Sequence, residues 1–398
     1  LGVFYEAATQ LAGFLKYGDE YKLMGLSAYG KPKYYELIKK NLFIDYDKNL
    51  ELNLKHYNFQ KKNFSYMFEG EPNQNIIFDK SVKELFKEFN NFSLDEINVE
   101  FKRDLASSTQ KIFEEKLFRI IKDNKKNYEN LSYAGGCALN SLANGKIVKE
   151  NIFKNMFVPF CPGDNGGSIG SALYLYKKKY PDFKTKNLCN PYLGKCYSKE
   201  EISSSLSKYR NLISFKFIQN FDELIKFTAK SLKDNKIVGW FQDKMEFGPR
   251  ALGNRSIISS PIGPEIKNLI NSKVKIRESF RPFAPAVLDE KVSDWFEQYK
   301  DSQFMSFVLP IKESKRKIIP SVTHIDGTGR LQTVKEQSNR KFYKLILEFE
   351  NITNVPILLN TSFNENEPIV MTPQDAIECF LRTEIDYLVI DNYLVSKI

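Results

Sequence analysis

The sequence predicts an α/β protein of two domains, and three observations carry that prediction. Apolar runs of strand length alternate with amphipathic helical stretches in both halves of the chain. Two glycine-rich turns, Gly135-Gly136 and 162–167, each stand between a strand-like and a helix-like segment. A chain of 398 residues exceeds what one ordinary core organises.

The elements follow in order. Residues 1–14 read as apolar, helix-like chain, and Gly25, Gly30 and Pro32 mark turns. Residues 33–95 are polar and carry no sustained periodicity. From Leu105 the positions Leu105, Thr109, Ile112, Phe113, Leu117, Ile120 and Ile121 recur at helical spacing, which predicts a long amphipathic helix. A strand at 131–134 runs into Gly135-Gly136, followed by a helix over 140–148, a strand at 156–160 and a helix over 169–179. The stretch Asn-Leu-Cys-Asn-Pro-Tyr-Leu-Gly at 187–194 suits a linker and sets the expected domains at 1–187 and 188–398. Beyond it the alternation restarts: helix 199–209, strand 213–219, helix 221–234, strand 237–241, strand 355–359, helix 373–382 and strand 387–390.

Composition narrows the function classes. No run of about 18 apolar residues occurs and no charged-then-apolar leader, so neither a membrane span nor a signal peptide is predicted, and a cytoplasmic location is the default expectation. Five cysteines at irregular spacing (Cys137, Cys161, Cys189, Cys196, Cys379) predict reduced core thiols rather than a disulfide framework. With only His56 and His324 available, a zinc site of several His and Cys is not expected. The net charge of +10 is spread in short groups such as Lys177–Lys179 and Lys61 with Lys62. No nucleic-acid-binding motif accompanies it, so a solvated face is the expected reading.

Chemistry-bearing residues gather in a few segments. Arg250, Arg255, Arg277 and Arg281 lie between Met245 and Pro285 among glycines and prolines, the pattern expected of guanidinium forks aimed at one anionic ligand. Lys275 and Arg277 share a face of an expected extended segment, and Ser362 and Asn364 share a face after an apolar strand. These groups suit an acyl phosphate or a nucleotide by positioning it and stabilising developing charge. Gly135 and Gly136 let a backbone approach a ligand, and the helix start beyond them offers free N–H groups to an anion or a ribose. Asp164 is read either as a ligand to a divalent metal or a ribose, or as a helix cap. The cluster His324-Ile-Asp-Gly-Thr-Gly-Arg330 is either a loop over the same ligand or a plain turn. No Ser-His-Asp or Cys-His pairing stands out, which favours transfer between bound ligands over covalent catalysis.

Together these segments resemble the carbamoyltransferase family that includes the nodulation and antibiotic-tailoring O-carbamoyltransferases. The resemblance covers most of the chain. It rests on Glu20-Tyr-Lys-Leu-Met-Gly-Leu-Ser-Ala-Tyr-Gly-Lys-Pro32, Gly135-Gly-Cys-Ala-Leu-Asn140, Phe247-Gly-Pro-Arg-Ala-Leu-Gly-Asn-Arg-Ser256, Phe280-Arg-Pro-Phe-Ala-Pro285, Thr323-His-Ile-Asp-Gly-Thr328 and Leu359-Asn-Thr-Ser-Phe-Asn364. It implies an actin-like ATPase-fold domain, related to the threonylcarbamoyl-transferring enzymes, followed by a domain like the threonylcarbamoyl-adenylate synthases.

The implied activity is ATP-dependent O-carbamoyl transfer. Carbamoyl phosphate and ATP give carbamoyl-adenylate, and the carbamoyl group passes to a hydroxyl of a small acceptor, a sugar or glycan precursor. The resemblance implies Lys275, Arg277, Arg281, Ser362 and Asn364 as the catalytic set and Gly135, Gly136, Asn140, Arg250, Arg255 and His324 as nucleotide or co-substrate contacts. It implies Asp164 as a ligand to a divalent metal, iron or magnesium. Nucleic acid and membrane are not expected partners, and a homo-oligomer is compatible with the sequence. Two departures stand out. The first half of the ATPase-like fold is expected upstream of Leu1, and Asp243-Lys244 stands where Gly-Arg is expected. The alternatives are a tRNA-modifying carbamoyl-type transferase and a non-catalytic nucleotide-binding remnant.

Overall fold

The structure, a computed structural model, describes residues 1–16, 18–48, 50–60, 77–86, 98–184 and 190–398. By contact the chain divides into Leu1–Leu131 with Glu150–Asn155, and Ser132–Lys149 with Met156–Ile398. Residues 132–149 and 156–184 thus belong with the sheet-bearing unit. The boundary expected at 187/188, Cys189, Lys61 and Lys62 lie outside the described residues.

The first unit is helical: α1 (Gly2–Leu11), α2 (Glu20–Leu26), α3 (Tyr35–Asn41), α4 (Ser81–Leu85) and α5 (Val99–Asn124). Its spine is α5, 26 residues and about 39 Å long. Asn98 caps it by accepting from the Glu100 N–H at 2.8 Å, and of the predicted stripe Leu105, Thr109, Ile112, Phe113, Leu117 and Ile121 are buried while Ile120 is half-buried. The segment Glu20–Pro32 is spent on this packing. A Cβ on Gly30 would stand 2.0 Å from the Arg103 carbonyl oxygen, the Lys31 N–H donates to Asp104 Oδ1 at 2.8 Å, and the Tyr34 N–H donates to Ser108 Oγ at 2.9 Å. Glycine is therefore required where this turn crosses the helix.

The remaining elements run β1 (Asn130–Ser132), α6 (Ser141–Lys149), β2 (Asn155–Phe157), α7 (Gly166–Lys179), α8 (Lys199–Ser207), β3 (Ile213–Phe217), α9 (Phe221–Lys233), β4 (Val238–Phe241) and β5 (Arg255–Ser259). Then come α10 (Ile266–Leu269), β6 (Ala284–Leu288), α11 (Val292–Trp295), β7 (Phe307–Pro310), α12 (Glu313–Arg316) and β8 (Thr328–Val334). The order closes with α13 (Arg340–Thr353), β9 (Ile357–Ser362), α14 (Pro373–Arg382), β10 (Tyr387–Ile390) and β11 (Tyr393–Lys397). Nine of these strands form one mixed sheet, ordered β3-β11-β10-β4-β5-β9-β6-β8-β7. The pairs β10–β4 and β6–β8 are parallel and the rest antiparallel. Every residue of β4, β5 and β6 is buried, as expected of strands covered on both faces.

The predicted α/β class holds in this unit, with a large sheet and flanking helices. The helices α9 and α13 pack together, with α13 against β6 and β9, while α14 lies on β4 and β10. Among the described cysteines all are free; Cys161 and Cys379 are buried as expected, whereas Cys196 is exposed. No helix among the described residues is long and apolar enough to cross a membrane.

Candidate active site

One face of the sheet is polar where its middle strands meet. Strand alternation places Asn360 and Ser362 on the same side of β9, and Thr328, Arg330 and Gln332 on the same side of β8. Register puts Asn360 beside Ala284 and Gln332 beside Ala286, so β6 contributes only methyl groups between them. Two strand spacings separate β9 from β8 by about 10 Å. The Asn360 amide nevertheless donates to Gln332 Oε1 at 2.7 Å, across the alanines. Small residues on β6 leave room for a polar floor.

The loop 246–254 is fastened above that floor. The Asn360 amide also donates to the Ala251 carbonyl at 3.3 Å, and Gln332 Nε2 donates to the Leu252 carbonyl at 2.9 Å. From within the loop, buried Glu246 Oε1 accepts N–H groups from Leu252 (2.6 Å), Asn254 (2.8 Å) and Arg255 (3.4 Å). Burial pushes the Glu246 carboxyl up, against the pull of those amides and of Arg255. Gly253, at φ 109°, fits because a Cβ there would stand 2.4 Å from the Phe342 ring.

Arg255 is the first correction to the expected ligand set. Its guanidinium is fully buried and donates to backbone carbonyls: Gln242 at 2.6 Å, Asn254 at 2.8 Å, Lys195 at 3.2 Å and Asp243 at 3.2 Å. It stacks 3.5 Å from the Phe241 ring centroid, and burial lowers its pKa to about 10. Arg255 is a strut of the loop, spent on protein rather than aimed at a ligand.

Lys275, Ser362 and Asn364 do come together. The Lys275 ammonium, 2% exposed, donates to the Ser362 carbonyl (2.5 Å), Ser362 Oγ (3.3 Å), the Asn364 carbonyl (2.7 Å) and Asn364 Oδ1 (2.6 Å). Ser362 Oγ donates to Asn364 Oδ1 at 2.7 Å. The expected extended segment at 275–277 is absent, which is a second correction. Lys275 follows a π-helical turn, Ile270–Val274, and Ile276 takes φ 42°. That break turns successive side chains in different directions. Lys275 enters the 362–364 turn, while Arg277 Nε donates to Asn271 Oδ1 at 2.8 Å and its guanidinium lies 4.7 Å from the Phe283 ring centroid. Such turns and strained residues concentrate at functional sites.

Cations crowd this region. Burial, then the fields of Arg277 and Arg281, hold the Lys275 ammonium well below its ordinary pKa, only partly countered by Cys379 and Glu367. Burial and Arg277 also lower Lys267, and burial and Arg250 lower Arg330. Arg281 lies 3.5 Å from Glu278, and the Asn271 amide donates to the Arg281 carbonyl at 3.3 Å.

Arg330 closes the cluster named from the sequence, whereas Lys267 was not singled out there. The alternation Thr328, Arg330, Gln332 along one strand face supports Arg330, and the signal for Lys267 is a lysine two residues into a short helix after Gly263-Pro264. Arg330 Nε and Nη2 both donate to Ser141 Oγ, at 3.1 and 2.8 Å, which ties β8 to the start of α6.

The glycine turns are placed as follows. Gly135, at φ 95°, donates its N–H to the Pro162 carbonyl at 2.7 Å, and Cβ atoms on Gly135 or Gly136 would meet open space. Asn140 Oδ1 accepts from the Ala143 N–H at 3.1 Å, a helix-capping contact at the start of α6. Asp164 is exposed, and the N-cap position of α7 is Asn165, whose side chain makes no capping hydrogen bond. Among the described residues no group of three His, Cys, Asp or Glu is placed to hold a metal ion. One exposed carboxylate does not make a divalent-metal site, so no step below runs through a metal. The segment 324–328 is a turn, closed by Gly327 at φ 80°, with the His324 imidazole inside it.

Comparison with known proteins decides the family. Two family models match in chain order: carbamoyltransferase N-terminus over residues 1–173 and carbamoyltransferase C-terminus over 229–397. Nodulation protein NolO of Bradyrhizobium diazoefficiens is 34% identical across all of this chain and 69% of its own length. The chain belongs to the carbamoyltransferase family.

Two further relatives of this family member match its whole length. Nodulation protein NolNO of Sinorhizobium fredii is 35% identical, with 55% of its own length covered. An uncharacterized protein of Synechocystis is 37% identical, with 67% covered. The chain thus spans 55% to 69% of these relatives. A solved structure of full-length HypF in the phosphate- and nucleotide-bound form covers 45% of this chain and 22% of that chain, at 18% identity and a TM-score of 0.31. A likeness of that score supports no inference.

Proposed function

We propose that this chain carries out ATP-dependent carbamoyl transfer to a hydroxyl of a small acceptor, and that the polar face of the sheet forms the activated carbamoyl group. The observation that carries the reading is the crowding of Lys275 by Arg277 and Arg281 at the 362–364 turn. A buried ammonium held down by two neighbouring guanidinium groups is relieved by an anion, and phosphate-bearing co-substrates supply one.

The first step balances as follows. Carbamoyl phosphate loses its phosphate to water, and an oxygen of the resulting carbamate displaces pyrophosphate from the α-phosphorus of ATP, giving carbamoyl-adenylate. Arg277 and Arg281 hold the phosphate oxygens, while Lys275, whose three protons go to Ser362 and Asn364, adds its buried positive charge to the field that stabilises charge passing to the leaving group. In the second step the acceptor hydroxyl attacks the carbamoyl carbon, its proton passes to solvent, and AMP leaves. The open backbone at Gly135 and Gly136 suits a nucleotide or acceptor, and Arg250 suits a phosphate. A sugar or glycan precursor is the acceptor class we favour.

The test is to incubate the chain with carbamoyl phosphate and ATP and measure pyrophosphate and carbamoyl-adenylate. Pyrophosphate release dependent on carbamoyl phosphate is expected, and Arg277→Ala is expected to abolish it. A folded protein that releases none above background would remove the proposal.

A further inference from the structure

His324 holds a buried hydrogen-bond acceptor that the protein leaves unused. Its Nδ1 lies 3.0 Å from Thr328 Oγ1, and Thr328 Oγ1 lies 2.7 Å from Asp326 Oδ1. A hydroxyl has one proton, and a carboxylate oxygen only accepts. The Thr328 proton therefore goes to Asp326, and Thr328 Oγ1 accepts from the His324 Nδ1–H. In a neutral ring this fixes the tautomer and leaves Nε2 as a bare lone pair. The ring is neutral: burial, helped by Arg330 and Lys267 and opposed by Asp326, brings its pKa down to about 4. The Nε2 atom is buried and has no hydrogen-bond partner among the described residues. A buried acceptor left open is costly and calls for a donor from elsewhere.

Its neighbours define that donor's company. Arg330 and Lys267 favour an anion beside the ring, so the fitting ligand carries a negative group and an N–H together. Resting on the function proposed above, we infer that His324 Nε2 accepts an N–H of the carbamoyl amide and makes this residue the one that distinguishes carbamoyl phosphate from acyl phosphates bearing a methyl group there. Acetyl phosphate is the matched probe: it keeps the phosphate and replaces the amide by a methyl group of similar size. Bound acetyl phosphate leaves Nε2 unpaired, and sites built to pair a buried donor discriminate strongly against the analogue lacking it.

The experiment measures affinities of the full chain for carbamoyl phosphate, acetyl phosphate and inorganic phosphate by calorimetry. The native chain is expected to prefer carbamoyl phosphate over acetyl phosphate by about tenfold or more. His324→Leu is expected to bring that preference to within about twofold of unity while leaving inorganic phosphate binding within about twofold. His324→Gln, whose amide oxygen can stand near the Nε2 position, is expected to retain part of the preference. A leucine variant that keeps the preference, or a native chain that shows none, overturns the inference. A native chain that releases pyrophosphate yet shows no preference sinks this inference alone; one that neither binds carbamoyl phosphate nor releases pyrophosphate sinks the parent proposal as well.

A second readout uses the unaltered protein and does not depend on a variant folding. The chain has only two histidines, so nitrogen-15 spectra resolve His324 readily. The Nδ1–H tautomer is expected, with an Nε2 resonance that carbamoyl phosphate moves and acetyl phosphate does not. An Nε2–H tautomer in the free protein refutes the assignment.

Discussion

Replacing Lys275 by methionine separates a catalytic cation from a structural one. The substitution keeps the unbranched stem and removes an ammonium that four oxygens approach within 2.5–3.3 Å. Asn364 Oδ1 keeps the hydrogen bond from Ser362 Oγ, so the main loss is at the Ser362 and Asn364 carbonyls, about 1–3 kcal/mol each at most. Against this, the burial penalty of the ammonium and its repulsion by Arg277 and Arg281 disappear. The two sides nearly cancel, and the change in stability is expected within about 2 kcal/mol. The transition state has no such compensation. Loss of one buried positive charge beside a developing oxyanion is expected to cost about 100-fold or more in rate. The assay pairs initial rates of pyrophosphate release with urea unfolding of the same preparation. A folded variant within about threefold of the native rate refutes the catalytic assignment, as does a rate loss that merely tracks the fraction unfolded.

Two substitutions test the scaffold around that site. Arg255→Met removes four hydrogen bonds to backbone carbonyls, the two to Gln242 and Asn254 buried, and is expected to destabilise the chain by about 3 kcal/mol, read as a lower urea midpoint. Glu246→Gln keeps an acceptor for the loop amides but cannot ionise. Because the folded-state pKa of Glu246 is raised above its ordinary 4.5, its contribution to stability is full below pH 4.5 and is lost as pH rises through the folded value. The glutamine variant should therefore gain on the native chain as pH rises from 4.5. Parallel pH profiles of the two would show that the carboxyl is not held up by burial.

Periodic segments were legible from the sequence, and chemistry that depends on neighbours was not. The stripe Leu105 to Ile121 and the helix at 221–234 stand as predicted, because spacing alone aims those side chains at a core. The helix α13 escaped prediction although Phe342, Leu345, Ile346 and Phe349 carry the same spacing. Strands β5 and β6 escaped for a physical reason: Arg255 opens one and Pro285 lies within the other, and neither residue type marks a central strand. A guanidinium looks the same in a sequence whether carbonyls or phosphates surround it, so Arg255 was misread as a ligand fork. The pairing of Lys275 with Ser362 and Asn364 was legible as a set of residue types. The π-helical turn that makes it had no local signature.

The strand order also sets when the site can exist. Lys275 meets its partners only after Ser362 and Asn364 are in place, and β4 finds its parallel neighbour in Tyr387–Ile390, roughly 150 residues later. During synthesis β4 waits with an unpaired edge until residues 387–390 have been made, and the Lys275 ammonium waits until Ser362 and Asn364 follow it. A chain cut before residue 387 therefore leaves the β10 side of β4 without its strand partner, and that open, apolar edge is one that chaperones bind.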